Sequence, residues 1–169
     1  VGQTVILKVE KPDGQTYVNH VRTIGAGYET WLRQKAWAAD NAALVEEVSG
    51  GRVGYIHLQS SYEADFSGFV RQYLHLHRRE ALILDLRGNN GGNIDPWLLH
   101  FLQRRTWLYI ADRYDAKALK HPQGSFDGEL IALVDGDTYS DGELIAEGIR
   151  RLGLGTLVGT RTSGAGKWV

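Results

Sequence analysis

Two short segments carry residue types that could perform acyl-transfer chemistry. Tyr139-Ser140-Asp141-Gly142-Glu143 places a hydroxyl at the first turn of an expected helix, just after the apolar run Leu130-Ile131-Ala132-Leu133-Val134 and a polar turn at 135–139. Gly88-Asn89-Asn90-Gly91-Gly92 follows a second apolar run, residues 81–86, and its missing side chains let backbone N–H groups come close to a bound atom. A serine hydroxyl that attacks a carbonyl creates a negative oxygen, and preorganised donors lower that barrier; loss of one costs about 3 kcal/mol in a related hydrolase. On this reading Ser140 attacks, while the amides of Asp141 and Gly91 receive the oxyanion. Neither segment is specific alone, because a serine at a helix start is most often a plain N-cap and a Gly-Gly turn after a strand is usually only a turn.

The elements around these segments follow from the hydrophobic pattern. Residues 1–10 alternate like a half-buried strand, Lys11-Pro12-Asp13-Gly14 is a turn signal, and residues 16–21 close a hairpin. Residues 28–48 read as a helix with Trp31, Leu32, Leu44, Val45 and Val48 on its apolar side, ended by Ser49-Gly50-Gly51. From Arg52 the rhythm becomes strand and helix in alternation: strand 53–58, helix with Phe66, Phe69, Val70, Tyr73 and Leu74, strand 81–86, helix with Ile94, Trp97, Leu98, Phe101 and Leu102. Strand 81–86 is apolar on both faces up to Asp85, the pattern of a parallel strand with helices on each side. A strand at 130–134, a helix from Ser140 with Leu144, Ile145, Ile149 and Leu152, and a strand at 156–159 complete an α/β layered fold with a mostly parallel sheet. In such a sheet, ligands collect where strands end and helices begin, which is where both segments lie.

Composition narrows the classes of function. The 169 residues are one domain's worth of material at 43% hydrophobic content, and 19 basic against 20 acidic residues give a formal net charge of -1, with no footprint for nucleic acid. The absence of cysteine excludes a thiolate nucleophile or cysteine-bound zinc, and no apolar run reaches the roughly 20 residues that cross a bilayer. Among the six histidines, His57 falls on a strand while His75, His77 and His100 fall on helices; each is expected to be an ordinary surface or core residue. His75 and His77, two apart, point to different sides of a helix, so no metal site is expected. Asp135, Asp137, Asp141 and Glu143 do not make a calcium loop, because Tyr139 and Ser140 stand where a ligand and the obligatory glycine belong. Gly153-Leu154-Gly155 leads from helix into strand, the reverse of a dinucleotide site. The opening strand has nothing before it to pair with, and 160–169 stops as a further strand is opening, so the chain is expected to be an excerpt of a longer protein.

Four ordered blocks resemble one known family. Gly51-Arg52-Val53-Gly54-Tyr55-Ile56-His57-Leu58, then Leu84-Asp85-Leu86-Arg87-Gly88-Asn89-Asn90-Gly91-Gly92, then Leu133-Val134-Asp135 with Tyr139-Ser140-Asp141-Gly142-Glu143, then Arg151-Leu152-Gly153-Leu154-Gly155 with Val158-Gly159-Thr160-Arg161-Thr162 look like the core of C-terminal-processing and tricorn-type serine peptidases. The blocks span residues 51–164, and Val5-Ile6-Leu7-Lys8-Val9 is similar to the last strand of the PDZ-like domain that precedes this core. The resemblance implies a ClpP/crotonase-like spiral ββα fold. It also implies an organisation of PDZ-like end (1–21), helical linker (22–50) and catalytic core (51–169). It carries over Ser140 as nucleophile and Gly91 and Asp141 as oxyanion amides. Asp85, Arg87, Asn89 and Gly92 become supporting residues, Asp85 accepting loop amides and Arg87 buttressing the turn.

One departure separates two branches. Aligning Val158-Gly159 puts Ala165 where the C-terminal-processing branch has its lysine base, and Lys167 comes two residues late. The Ser-Asp-Gly signature with Gly164 fits the tricorn branch, whose histidine precedes the PDZ-like domain and whose glutamate lies beyond residue 169. A serine without a base is a weak nucleophile near neutral pH, so the excerpt by itself is expected to be inert. The resemblance implies a peptide or unfolded-protein substrate, no cofactor and a parent that assembles into homo-oligomers. The same core also resembles the repeats of a retinoid-carrying protein, which leaves a noncatalytic ligand carrier as the alternative.

Overall fold

The computed structural model describes residues 1–111, 113 and 118–166, and divides into two compact units, Val1–Asp40 and Asn41–Val169. In the first unit, β1 (Thr4–Glu10) and β2 (Thr16–Arg22) pair antiparallel from Thr4↔Arg22 to Glu10↔Thr16. Pro12 presets the turn between them, Gly14 takes φ +82°, and its N–H closes onto the Lys11 carbonyl at 2.9 Å. Helix α1 (Ala26–Ser49) starts two residues before the sequence-based start, with a Glu29–Arg33 pair at 2.7 Å in its early turns, and ends where Gly50 and Gly51 adopt positive φ.

In the second unit, β3 (Val53–His57), β4 (Ala81–Asp85), β7 (Glu129–Val134) and β8 (Thr156–Gly159) form a parallel sheet in that order. Helices α2 (Glu63–Leu76), α3 (Asp95–Leu102) and α4 (Asp141–Arg151) connect the strands. Their apolar faces join the strands in one core, in which Ile56, Phe69, Tyr73, Leu82, Leu84, Leu98, Ile145 and Ile149 are all 1% exposed or less. Between α3 and β7 the chain makes a hairpin that the pattern reading did not anticipate, β5 (Leu108–Ile110) with β6 (Leu119–His121).

The expectation that helices bury β4 on both faces needs correction. Leu82, Leu84 and Leu86 are fully buried, whereas Ala81 and Ile83 are only half-buried. Strand side chains alternate between faces, so one face is sealed by the helices and the other only partly covered. On that second face Tyr55, beside Ile83 in register, meets Asn41, a residue of the same unit.

Candidate active site

β4 and β7 are neighbours in register, Asp85 beside Leu133, so the loops that leave their C-terminal ends emerge side by side. Five cross-links hold these loops together. Leu86 N–H donates to Leu133 O at 2.9 Å, Thr138 Oγ1 to Leu86 O at 2.9 Å, and Gly88 N–H to Asp135 Oδ1 at 3.0 Å. Further along, Tyr139 N–H donates to Asn89 O at 2.8 Å and Ile94 N–H to Asp141 Oδ2 at 2.9 Å. The glycine turn and the start of α4 are thus one structure, built from residues about 50 apart in the chain.

Ser140 sits between β7 and α4 with φ 52° and ψ -117°, and among the described residues no other non-glycine residue has positive φ. Those angles are those of the first central position of a type II′ turn, normally a glycine position, and Gly142 N–H closes the turn onto Tyr139 O at 3.0 Å. The reversal presents the serine on a sharp strand-to-helix corner, the backbone arrangement of a nucleophile elbow. Glu143 fixes it from behind: its Oε2 accepts the Ser140 N–H at 3.1 Å, the return half of a capping box. The same carboxylate accepts from Thr162 Oγ1 at 2.7 Å, Gly164 N–H at 2.7 Å and Ala165 N–H at 2.8 Å, pinning residues 162–165 to this corner. Burial alone would raise the Glu143 carboxyl, but these donors hold it below the usual range.

The glycine turn touches Ser140 directly. A Cβ on Gly91, which has φ +87°, would lie 2.8 Å from Ser140 Cβ and 3.3 Å from Ser140 Oγ. One on Gly92 would lie 1.8 Å from the Ser61 carbonyl oxygen. Gly92 forms a parallel bridge with Ser61, in which Ser61 N–H donates to Gly91 O and Asn93 N–H to Ser61 O, both at 2.8 Å. Glycine is therefore required at both positions, by the Ser140 side chain and positive φ at Gly91 and by the Ser61 backbone at Gly92.

Asn89 is fully buried and organises this turn. Its Nδ2 donates to Leu58 O at 2.7 Å, which fixes the amide orientation, and its Oδ1 accepts the Gly91 N–H at 2.9 Å. The Gly91 amide is thus engaged within the turn, while the N–H groups of Gly92 and Asp141 have no hydrogen-bond partner among the described residues. Gly142 is small for the same reason that Asn89 is fixed: a Cβ there would meet Asn89 Oδ1 at 2.8 Å.

Beneath the turn, Asp85 is fully buried and accepts from Tyr55 Oη at 2.6 Å, Arg87 N–H at 3.0 Å and Arg87 Nη2 at 2.6 Å. Burial opposes its charge, yet Arg87 and Tyr55 hold its carboxyl below the ordinary range, and Tyr55 is pushed up by burial and by Asp85. His57 at the end of β3 places Nε2 3.0 Å from Arg87 O, so it braces the same loop.

Of the residues singled out from sequence, the structure brings Ser140, Gly91, Gly92, Asn89 and Asp141 into one cluster, with Asp85 and Arg87 below it; Lys167 lies outside the described residues. Tyr55, Ser61, Asp135, Thr138 and Glu143 also hold the cluster and were not foreseen in that role. A cleft of about 340 Å³ beside α4 is lined by Val134, Glu143, Leu144, Ala146, Leu157 and Thr162. A larger hollow of about 580 Å³ at Leu74, Arg78, Leu119 and Lys120 includes none of the cluster. Among the described residues no group of three or more His, Asp or Glu side chains could hold a metal ion, and no helix is long and apolar enough to cross a membrane.

Residues 52–168 match the profile of Peptidase family S41. The chain belongs to that family. Among S41 relatives, it is 32% identical over 162 residues to the tricorn protease of Thermoplasma volcanium, covering 96% of this chain and 15% of the relative. Tricorn protease homolog 1 of Streptomyces coelicolor is 33% identical over 163 residues, with 96% and 15% covered. A carboxyl-terminal-processing protease of Picosynechococcus is 27% identical over 172 residues, with 98% and 39% covered. The crystal structure of the tricorn protease superposes with a TM-score of 0.85 at 26% identity, covering 97% of this chain and 16% of that one. The greater identity is to the tricorn side of the S41 family, as the resemblance implied, and the mixed α/β fold with its mostly parallel sheet is the one expected. The chain spans about 15% of the length of the tricorn relatives it matches.

Proposed function

We propose that this chain supplies the nucleophile and oxyanion site of a serine peptidase that cleaves peptides or the C-terminal segments of proteins through an acyl-enzyme on Ser140. The observation that carries this reading is the positive-φ corner at Ser140, set against the Gly91 backbone at the ends of two adjacent parallel strands. Ordinary N-cap serines take β-region angles, so plain capping does not account for it. The hydroxyl attacks the substrate carbonyl, its proton passing to a base. The developing oxyanion is received by the Asp141 amide at the helix N-terminus and by the turn at Gly91. Because Gly91 N–H donates to Asn89 Oδ1, the oxyanion must share or displace that bond, whereas the Asp141 amide is ready. Asn89 and Gly92 set the shape of the turn, and Asp85 with Arg87 supports it.

Among the described residues no His, Lys, Asp or Glu side chain hydrogen-bonds to Ser140 Oγ. Following the tricorn branch that the resemblance implies, the reading takes the base and its acid from outside residues 1–169, with residues 1–21 ending a PDZ-like domain, 22–50 linking and 51–169 forming the core. The parent protein is proposed to act as a homo-oligomer on peptide or unfolded-protein substrates. The test compares peptide hydrolysis by the full-length protein, its Ser140→Ala variant and residues 1–169 alone. Activity is expected only in the first; hydrolysis by residues 1–169 that disappears on Ser140→Ala would refute the external base.

A further inference from the structure

Asp141 carries an unusual side chain for the first residue of a helix. Acidic groups in a first turn ordinarily face water, where the helix dipole favours their charge. The Asp141 residue is instead 1% exposed, with its carboxyl turned toward the segment that leaves the glycine turn. Oδ2 accepts the Ile94 N–H at 2.9 Å, 47 positions away, while Oδ1 is buried with no hydrogen-bond partner among the described residues. An ionised carboxylate there would leave a charged oxygen desolvated and unpaired, which is costly.

Asp95, the first residue of α3, brings a second carboxyl close to that of Asp141. A neighbouring negative charge and burial both favour the uncharged form of a carboxyl. Two nearby carboxylates are committed elsewhere: Glu143 of α4 to Ser140 and residues 162–165, and Asp135 of the turn after β7 to Gly88 and Thr138. Burial first, and Asp95 second, push Asp141 up to about 6.

We propose that the buried Asp141 side chain, through its bond from the Ile94 N–H, is a positioning residue of the acyl-transfer site. By tying the first turn of α4 to Ile94, it fixes the distance between the Asp141 amide and the turn at residues 91 and 92. The proposal rests on the reading of Ser140 as the nucleophile. Ionisation of Asp141 sets its charge against Asp95 and near the forming oxyanion, so acylation weakens as Asp141 ionises.

Two readouts separate this proposal from the reading it rests on. In the chain itself, the Asp141 carboxyl ¹³C resonance is expected to titrate near pH 6; a midpoint at or below the ordinary value of about 4 overturns the proposal whatever the activity. In the full-length protein, fluorophosphonate labelling is compared for wild type, Asp141→Asn and Asp141→Ala from pH 5 to 8. Asparagine keeps the bond from Ile94 N–H and carries no charge at any pH, so its rate relative to wild type is expected to rise about threefold or more with pH, while alanine is about tenfold slower throughout. A ratio that stays flat with pH overturns the proposal, because a purely structural aspartate would give that. Labelling that persists in Ser140→Ala overturns the nucleophile reading and this proposal with it.

Discussion

Replacing Ser140 by glycine and by alanine gives two variants that both lack the hydroxyl and differ only in the Cβ. The comparison therefore isolates the backbone conformation from capping and chemistry. At φ 52° and ψ -117° a Cβ is strained, and holding such a conformation costs about 1–3 kcal/mol. Glycine loses about 0.4–1 kcal/mol more chain entropy on folding than alanine. The difference leaves Ser140→Gly more stable than Ser140→Ala by about 0.5–2 kcal/mol, or a few degrees in Tm for a chain of this size. Urea-induced unfolding of the 169-residue chain measures it. Ser67, exposed within α2, provides the control: there the alanine variant is expected to be the more stable by about 1 kcal/mol, the ordinary helical order. If alanine is as stable as glycine at Ser140, the corner is not strained and the elbow argument fails.

Removing Asp85 as Asp85→Ala leaves Tyr55 Oη and the Arg87 guanidinium without their shared acceptor. Breaking a buried pair costs about 3–5 kcal/mol, reduced here to about 2–4 because the Arg87 side chain is 37% exposed, and denaturant unfolding reads the loss. Gly92→Ala must move the Ser61 carbonyl and break the two bonds of the bridge, for a loss of about 2–5 kcal/mol and of fluorophosphonate labelling; retention of both would refute the close approach. Asp141, raised to about 6 from 3.8, binds a proton in the folded chain that the unfolded chain has released between those values. Its contribution is thus fully present below pH 4 and lost as pH rises to 6, so wild type should lose about 3 kcal/mol relative to Asp141→Asn across that window. A constant difference in stability between the two would show that the carboxyl is not raised.

The parallel sheet and the meeting of the two turns that make the candidate site were legible because each rests on local signals. Buried strands at 81–85 and 129–134 show as short apolar runs, and the glycine turn and the serine mark where those strands give way to helices. Adjacency of the two turns followed from the β-α-β rhythm together with the resemblance. What the pattern could not carry was long-range hydrogen bonding. Nothing near Tyr55 announces that it reaches Asp85, 30 residues on, or near Asn89 that it takes up the Gly91 amide. Nor could residue types show the positive φ of Ser140, since that conformation belongs to glycine by propensity and is imposed here by the surrounding bonds. The β5–β6 hairpin escaped because its strands are three residues each, mostly exposed, with no alternation long enough to register. The half-covered face of β4 was misjudged because isoleucine and alanine read as buried whether or not a helix lies above them.

The claim on which the rest depends is that Ser140 is the acylated residue. Fluorophosphonate treatment of the full-length protein, followed by proteolysis and mass-spectrometric mapping of the adduct, tests it most directly. The account predicts one modified residue, Ser140, and no adduct in the Ser140→Ala protein; an adduct on another residue, or one that survives the substitution, would contradict it.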